Sequence, residues 1–158
     1  MPELPDVPDT WRFHHLGMPV RDLDQSVAAY QSLGIATFDP EFRIDSSQAE
    51  SYLVYGKTPD PIVITRGQFV HLGPVSLELL QPVQGHTVHK ELLDSTGEGI
   101  GHLAYSVDDL EAEVAKLVER GFPEVLSIMP KNWDRRSAVY LDTRGVFANL
   151  IIELMAQR

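Results

Sequence analysis

The chain has no cysteine, which excludes disulfides and thiolate metal sites together. Any metal must take nitrogen and oxygen ligands, and the chain suits a reducing cytoplasm. Long apolar runs are also missing, so the pattern has no segment near the roughly 20 residues that cross a membrane. The opening stretch, with Pro2, Glu3, Pro5, Asp6, Pro8 and Asp9, lacks the basic start and apolar core of a secretion signal and reads as a loose arm over residues 1–10. Positive charge is scarce: 13 Lys and Arg stand against 23 Asp and Glu, a formal net charge of −10. That balance repels nucleic-acid backbones and anionic membranes at long range, leaving a small molecule as the expected partner.

What is present is ordinary in amount. At 158 residues, 43% hydrophobic and 23% charged, the chain can bury a core of its own. Its order is less ordinary, because the sequence repeats. His15-Leu16-Gly17-Met18-Pro19-Val20-Arg21-Asp22-Leu23 aligns with His102-Leu103-Ala104-Tyr105-Ser106-Val107-Asp108-Asp109-Leu110 at an offset of 87 residues (15 to 102), with His, Leu, Val, Asp and Leu matching. The register continues through Val27 and Val114, Ala28 and Ala115, and Gly34 and Gly121.

In each copy a β-like segment containing the His is followed by apolar positions at helical spacing. These are Leu23, Val27, Tyr30 and Leu33 in one copy, and Leu110, Val114, Leu117 and Val118 in the other. Asp22 and Asp109 suit helix N-caps, while Gly34 and Gly121 suit helix stops. Strand-like runs follow: 35–42, 62–72 and 75–80 in the first copy, then 125–129, 138–141 and 149–155 in the second. The closing strands correspond at the smaller offset of 75 (78 to 153), so the first copy carries about a dozen extra residues. Asp45 to Pro61, with two Pro and a Gly, reads as the inserted loop. The expected organisation is a βαβββ module over 11–82, a connector over 83–97 with a short helical patch near Val88 to Leu93, and a second βαβββ module over 98–158.

A lone strand histidine is ordinarily a packed or surface residue. Glu78 and Glu153 alter that reading, because each lies mid-strand among apolar residues, where an ionised carboxylate without a partner costs several kcal/mol. No basic residue occupies matched positions nearby, yet both copies carry the same His on the first strand and the same Glu on the last. A shared cation accounts for all four residues. His15, Glu78, His102 and Glu153 are the candidate ligands of one divalent ion, with Zn, Ni, Co, Mn and Fe all compatible. His14 is expected to point to the opposite face of its strand by period-two alternation. His71, His86 and His89 have no counterpart in the repeat and read as surface or loop residues.

The paired His-Leu-Gly…Val…Asp-Leu and His-Leu-Ala…Val-Asp-Asp-Leu signatures, with their Leu-Glu-Leu and Ile-Glu-Leu strands, resemble the vicinal oxygen chelate (glyoxalase/bleomycin resistance) superfamily from about Phe13 to Leu154. The segments Leu77 to Pro82 and Gly97 to Ala104 most resemble methylmalonyl-CoA epimerases. The resemblance implies an α+β fold in which two βαβββ modules form a cupped mixed sheet, a homodimer, and ligand roles for His15, Glu78, His102 and Glu153. It implies an epimerase or isomerase that abstracts a proton alpha to a carbonyl through a metal-stabilised enolate, with Glu153 first and Glu78 second as the catalytic base. The implied partner includes an acyl-CoA, whose phosphates would meet Lys131, Arg135 and Arg136.

Residues 142–149 lack the Pro-Lys and paired-glycine run expected of such an epimerase. Glu50, in the inserted segment, has no clear register as a further, non-ligand base. A glyoxalase-type lyase would use the same four ligands, and a metal-free small-ligand-binding (resistance-type) protein would use the same cup. A ring-cleaving dioxygenase would need a site with one carboxylate.

Overall fold

The structure, a computed structural model, describes residues 10–157; the expected N-terminal arm lies outside them except for Thr10. Strand β1 (Trp11–Pro19) leads into helix α1 (Leu23–Ser32), followed by β2 (Thr37–Phe38), β3 (Phe42–Asp45), β4 (Ala49–Val54), β5 (Ile64–Leu72) and β6 (Val75–Gln84). Helix α2 (Val88–Thr96) connects to β7 (His102–Val107), α3 (Leu110–Glu119), β8 (Glu124–Pro130), β9 (Ala138–Leu141) and β10 (Ile151–Ala156). The repeat is visible in the local chemistry. The Asp22 side chain accepts the amide of Gln25 and that of Asp109 accepts the amide of Ala112, while Gly34 and Gly121 end the helices at φ +69° and +94°.

One curled sheet holds all the strands in the order β2, β5, β6, β1, β7, β10, β9, β8, β4, with β3 also paired to β5. At its centre β1 runs parallel to β6 and antiparallel to β7, and β7 runs parallel to β10. Four first-and-last strands therefore lie side by side. Alternation sends Leu77 and Leu79 to the outer face, where they pack with Leu23, Val27 and Tyr30 of α1. In the other half Ile152 and Leu154 pack with Leu110, Val114 and Leu117 of α3. The intervening residues Glu78 and Glu153 must then face the inner side of the curl. There a third cluster joins Tyr52, Val63, Leu126, Ala138, Tyr140 and Ile151 to Val88 and Leu92 of α2. No described helix is long and apolar enough to cross a membrane.

Three sequence expectations need correction. The segment 45–61 is not simply a loop, because it contains β4, which crosses to the far edge of the sheet and pairs antiparallel with β8. Its alternation places Tyr52 and Val54 in the inner cluster, a gain in burial that a polar-flanked run of six residues hardly advertises. The single strand expected at 35–42 is instead β2 and β3, both against β5, broken around Pro40, whose ring removes a ladder donor. The last strand starts at Ile151, because Ala148 and Asn149 turn the chain at positive φ.

Candidate metal centre

The four central strands bring the four candidate ligands to one place. Gly17 of β1 is opposite both Glu78 of β6 and His102 of β7, and Ala104 of β7 is opposite both His15 and Glu153. All six residues share the inner face, with a glycine and an alanine beneath the larger side chains. His15, Glu78, His102 and Glu153 are buried, and one donor atom from each falls within a group spanning no more than 4.8 Å.

Nε2 of His15 is 3.1 Å from Glu78 Oε2 and 3.3 Å from Glu153 Oε2. Nε2 of His102 is 3.4 and 3.2 Å from the same two oxygens. The two Nε2 atoms are 3.3 Å apart. Donors about 2.0–2.2 Å from a common divalent ion stand about 3.0–3.5 Å from one another, so the spacing fits such an ion. The angles support the same reading, since Glu153 Oε2 makes no aligned hydrogen bond despite its two close nitrogens. Two neutral imidazole nitrogens facing each other at this distance would also repel unless a proton or a cation lay between them. The residues present therefore fit a divalent metal with mixed nitrogen and oxygen donors.

In the absence of that ion, protons take up the role of positive charge. Burial alone would lower the pKa of His15, but close contacts with Glu153 and Glu78 overcome it and raise the value to about 10. The same opposition raises His102. For Glu78 and Glu153 burial would raise the pKa, and the contacts with His102 and His15 instead hold both carboxyls low.

Aromatic groups wall the site on both sides. Phe69, opposite Glu78 on β5, meets the His15 ring edge-on at 5.2 Å, and Phe42 lies 5.9 Å beyond it. Tyr140, opposite Glu153 on β9, meets the His102 ring at 5.2 Å. These two positions were missed in the sequence. They occupy equivalent places across from the two glutamates, but β5 and β6 join by a tight turn while β9 and β10 join through a longer segment. The offset between them is therefore lost, and only the cross-strand register reveals the pairing.

The other histidines divide. His86 is exposed and pairs with Glu91 at 2.7 Å, and His71 pairs with Asp39 at 3.1 Å, in keeping with surface roles. His89 does not fit that expectation: it is 4% exposed, on α2, with its ring 5.5 Å from that of His102 and 5.2 Å from that of Tyr140. Burial, with the nearby His102, pushes its pKa down to about 4. The helical patch was visible in sequence, but its packing against the inner face was not. His14 also departs from expectation. A bulge between Phe13 and His15 interrupts the alternation of β1, and Nδ1 of His14 lies 2.8 Å from Nδ1 of His15. Glu50 is exposed at a bulge in β4.

Among the three cations expected to meet phosphates, Arg136 is held by Glu111 and by Glu124 at 2.7 Å. Arg135 donates to the carbonyl of Gln157 at 3.2 Å. Lys131 lines a groove of about 480 Å³ between β3 and β8.

Residues 14–140 match the family model of the glyoxalase/bleomycin resistance protein/dioxygenase superfamily. That span includes three of the four clustered residues; Glu153 joins them through the fold. Methylmalonyl-CoA epimerase from Mycobacterium tuberculosis shares the fold at 20% identity and a TM-score of 0.66, over 96% of this chain and 92% of that one. A single-residue variant of methylmalonyl-CoA epimerase from Streptomyces coelicolor, in complex with 2-nitronate-propionyl-CoA, matches at 19% identity and 0.60, over 92% and 96%. A mutant 4-hydroxymandelate synthase from Streptomyces coelicolor matches at 15% identity and 0.60, over 94% of this chain and 49% of that one. No curated protein matches in sequence.

Proposed function

Because the chain belongs to the glyoxalase/bleomycin resistance protein/dioxygenase superfamily, we propose that it is a metal-dependent epimerase or isomerase acting at a carbon next to a carbonyl. The observation that carries this reading is the group of four buried donors, two imidazoles and two carboxylates, converging from the four central strands. A divalent ion bound by them supplies Lewis acidity where negative charge develops on a substrate oxygen. The rest of the chemistry belongs to the chain. Glu153 takes the α-proton and returns it to the same or a neighbouring carbon, and Glu78, related to it by the repeat, is the second candidate for that role. Phe69 and Tyr140 exclude water on either side of the reacting centre and strengthen every charge interaction within it.

The substrate we favour is an acyl thioester of the methylmalonyl-CoA kind. The structural likeness to epimerases supports this choice through the fold alone. Lys131 and Arg43 line a groove with Ile44, Asp45, Gln48, Ala49, Ile128 and Pro130, in which two cations stand against one carboxylate, and this suits an apolar arm carrying an anionic group. Arg136 is engaged by Glu111 and Glu124, while exposed Arg135, which donates to the Gln157 carbonyl, stays a candidate for that role. A homodimer in the cytoplasm is the setting we propose.

The test has two stages. Elemental analysis of the purified protein should find about one equivalent of a divalent transition metal. Methylmalonyl-CoA and a panel of 2-substituted acyl thioesters should then exchange the α-hydrogen for deuterium, and Glu153→Gln should abolish the exchange. A metal-free protein removes the reading. Metal without thioester exchange, but with turnover of a hemithioacetal, replaces the epimerase by a glyoxalase-type lyase. Exchange that persists in Glu153→Gln removes Glu153 as the base.

A further inference from the structure

We infer that His14 is a positioning residue for the metal centre: its imidazole accepts the Nδ1–H of His15 and so fixes the tautomer and ring orientation of that ligand. The observation is local and specific. In the ladder between β1 and β7, Phe13 is opposite Tyr105 and His15 is opposite Ala104, so His14 is the extra residue of a bulge. The bulge allows consecutive side chains, which regular pleating sends to opposite faces, to bring their rings to 5.0 Å at 81°, with the two Nδ1 atoms 2.8 Å apart. This is an ordinary hydrogen-bond length, so one nitrogen must carry hydrogen and the other a lone pair.

The direction of that bond follows from the far side of the His15 ring. Nε2 of His15 faces Glu78, Glu153 and His102 at 3.1–3.3 Å. With the Nε2 lone pair of His15 committed to an ion at the centre of the cluster, the ring hydrogen lies on Nδ1, which donates. His14 must accept, with its own hydrogen on Nε2. A ligating imidazole commonly donates its second nitrogen to an outer partner that orients it, and here the partner is the preceding residue. The two histidine ligands differ in this respect, because Nδ1 of His102 is buried without a hydrogen-bond partner among the described residues. His102 is held by contact with Gly17 and His15 by a hydrogen bond. Phe69, 6.3 Å from the His14 ring, flanks the pair.

The inference rests on the reading of the cluster as a metal centre, but not on any particular reaction. It is tested by metal affinity and by tautomer, neither of which requires a substrate. His14→Phe keeps a ring at the bulge and removes the acceptor; His14→Gln returns an acceptor without the ring. Competition of the metal-free proteins with a chromophoric chelator for Zn²⁺ should show affinity falling about 10–100-fold in His14→Phe and recovering to within about threefold of wild type in His14→Gln. Proton–nitrogen correlation spectra of the Zn²⁺-loaded wild type should show hydrogen on Nδ1 of His15 and on Nε2 of His14.

Undiminished affinity in His14→Phe, or His14→Gln as weak as His14→Phe, overturns the inference while leaving the metal centre intact. If His14→Phe fails to fold, the tautomers in the wild type decide, and hydrogen on Nε2 of His15 overturns it. A wild-type protein that takes up no Zn²⁺ overturns both the inference and the metal reading.

Discussion

Gly17 lies against the imidazole of His102 so closely that a Cβ built on it would fall 1.7 Å from Cε1 of that ring. The backbone at Gly17 is ordinary extended strand, so the glycine serves space and not conformation. Gly17→Ala should therefore leave β1 paired and push His102 out of the cluster. We expect metal affinity to fall at least about 10–100-fold, as when an imidazole ligand loses its orientation, with the strand content of the circular dichroism spectrum retained. Titration with Zn²⁺ against a chelator checks this, and wild-type affinity in Gly17→Ala would show that the ring is seated some other way.

The metal-free protein should have an unusual pH profile. His15, raised from its ordinary 6.5 to about 10, contributes stability that is complete below about pH 6.5 and lost as pH rises through 10. His102 is raised too and acts in the same direction. Glu78 and Glu153, lowered from 4.5, contribute stability present above about pH 4.5 and lost as pH falls through their depressed values. Buried His89, lowered from 6.5 to about 4, removes stability as pH falls below about 6.5, so the apoprotein should be most stable near pH 6.5. Metal binding displaces the protons, so the thermal shift on adding metal should grow as pH rises above 6.5. Thermal midpoints of chelator-treated and Zn²⁺-loaded protein at pH 5.5, 7 and 8.5 measure this; a shift largest at pH 5.5 would contradict the assignment of protons to the cluster.

Much of the fold was legible because the repeat couples local signals to one another. Asp22 and Asp109 announce the helix starts, Gly34 and Gly121 the stops, and Glu78 and Glu153 stand out because carboxylates are rare in apolar strands. Each of these is decided by its neighbours within a few residues. What was not legible depends on contacts formed far along the chain. β4 is a strand because β8 offers an edge and the inner cluster accepts Tyr52 and Val54, neither of which is visible near residue 50. His89 resembles a surface residue until α2 is placed against the inner face. His14 leaves the face that a period of two predicts because a bulge breaks that period, and nothing in the local sequence marks it. The candidate ligands were therefore recognised before the groups that surround them.

Strand β4 is held at its end by Glu91 of α2. The Glu91 carboxylate accepts the Tyr55 hydroxyl at 2.6 and 2.8 Å and pairs with Arg144 at 3.0 Å and with His86 at 2.7 Å. The groups are partly exposed, so solvent screens them and the net effect should be modest. Glu91→Ala should cost about 1–2 kcal/mol. It should also speed hydrogen exchange in β4 and its β8 partner, with little change in β6 and β10. Exchange mass spectrometry of peptides spanning 49–57 measures this, and unchanged protection there would mean that pairing with β8 alone secures the strand.

His89 presents the opposite case, a polar residue that stability does not need. Its Nδ1 is buried without a hydrogen-bond partner among the described residues, and such an atom costs about 1–3 kcal/mol. Its ring contact with Tyr140 returns about 0.5–1.5 kcal/mol. Leu has nearly the same volume and no polar atom, so His89→Leu should raise the thermal midpoint by about 2–4 °C for a chain of this size. His89 donates nothing to the four clustered residues, and Zn²⁺ affinity should stay within about threefold, well short of the 10–100-fold expected for loss of an orienting partner. If the affinity instead falls tenfold while the midpoint rises, His89 orients His102, and the unpaired nitrogen is retained at a cost in stability because the metal centre requires it.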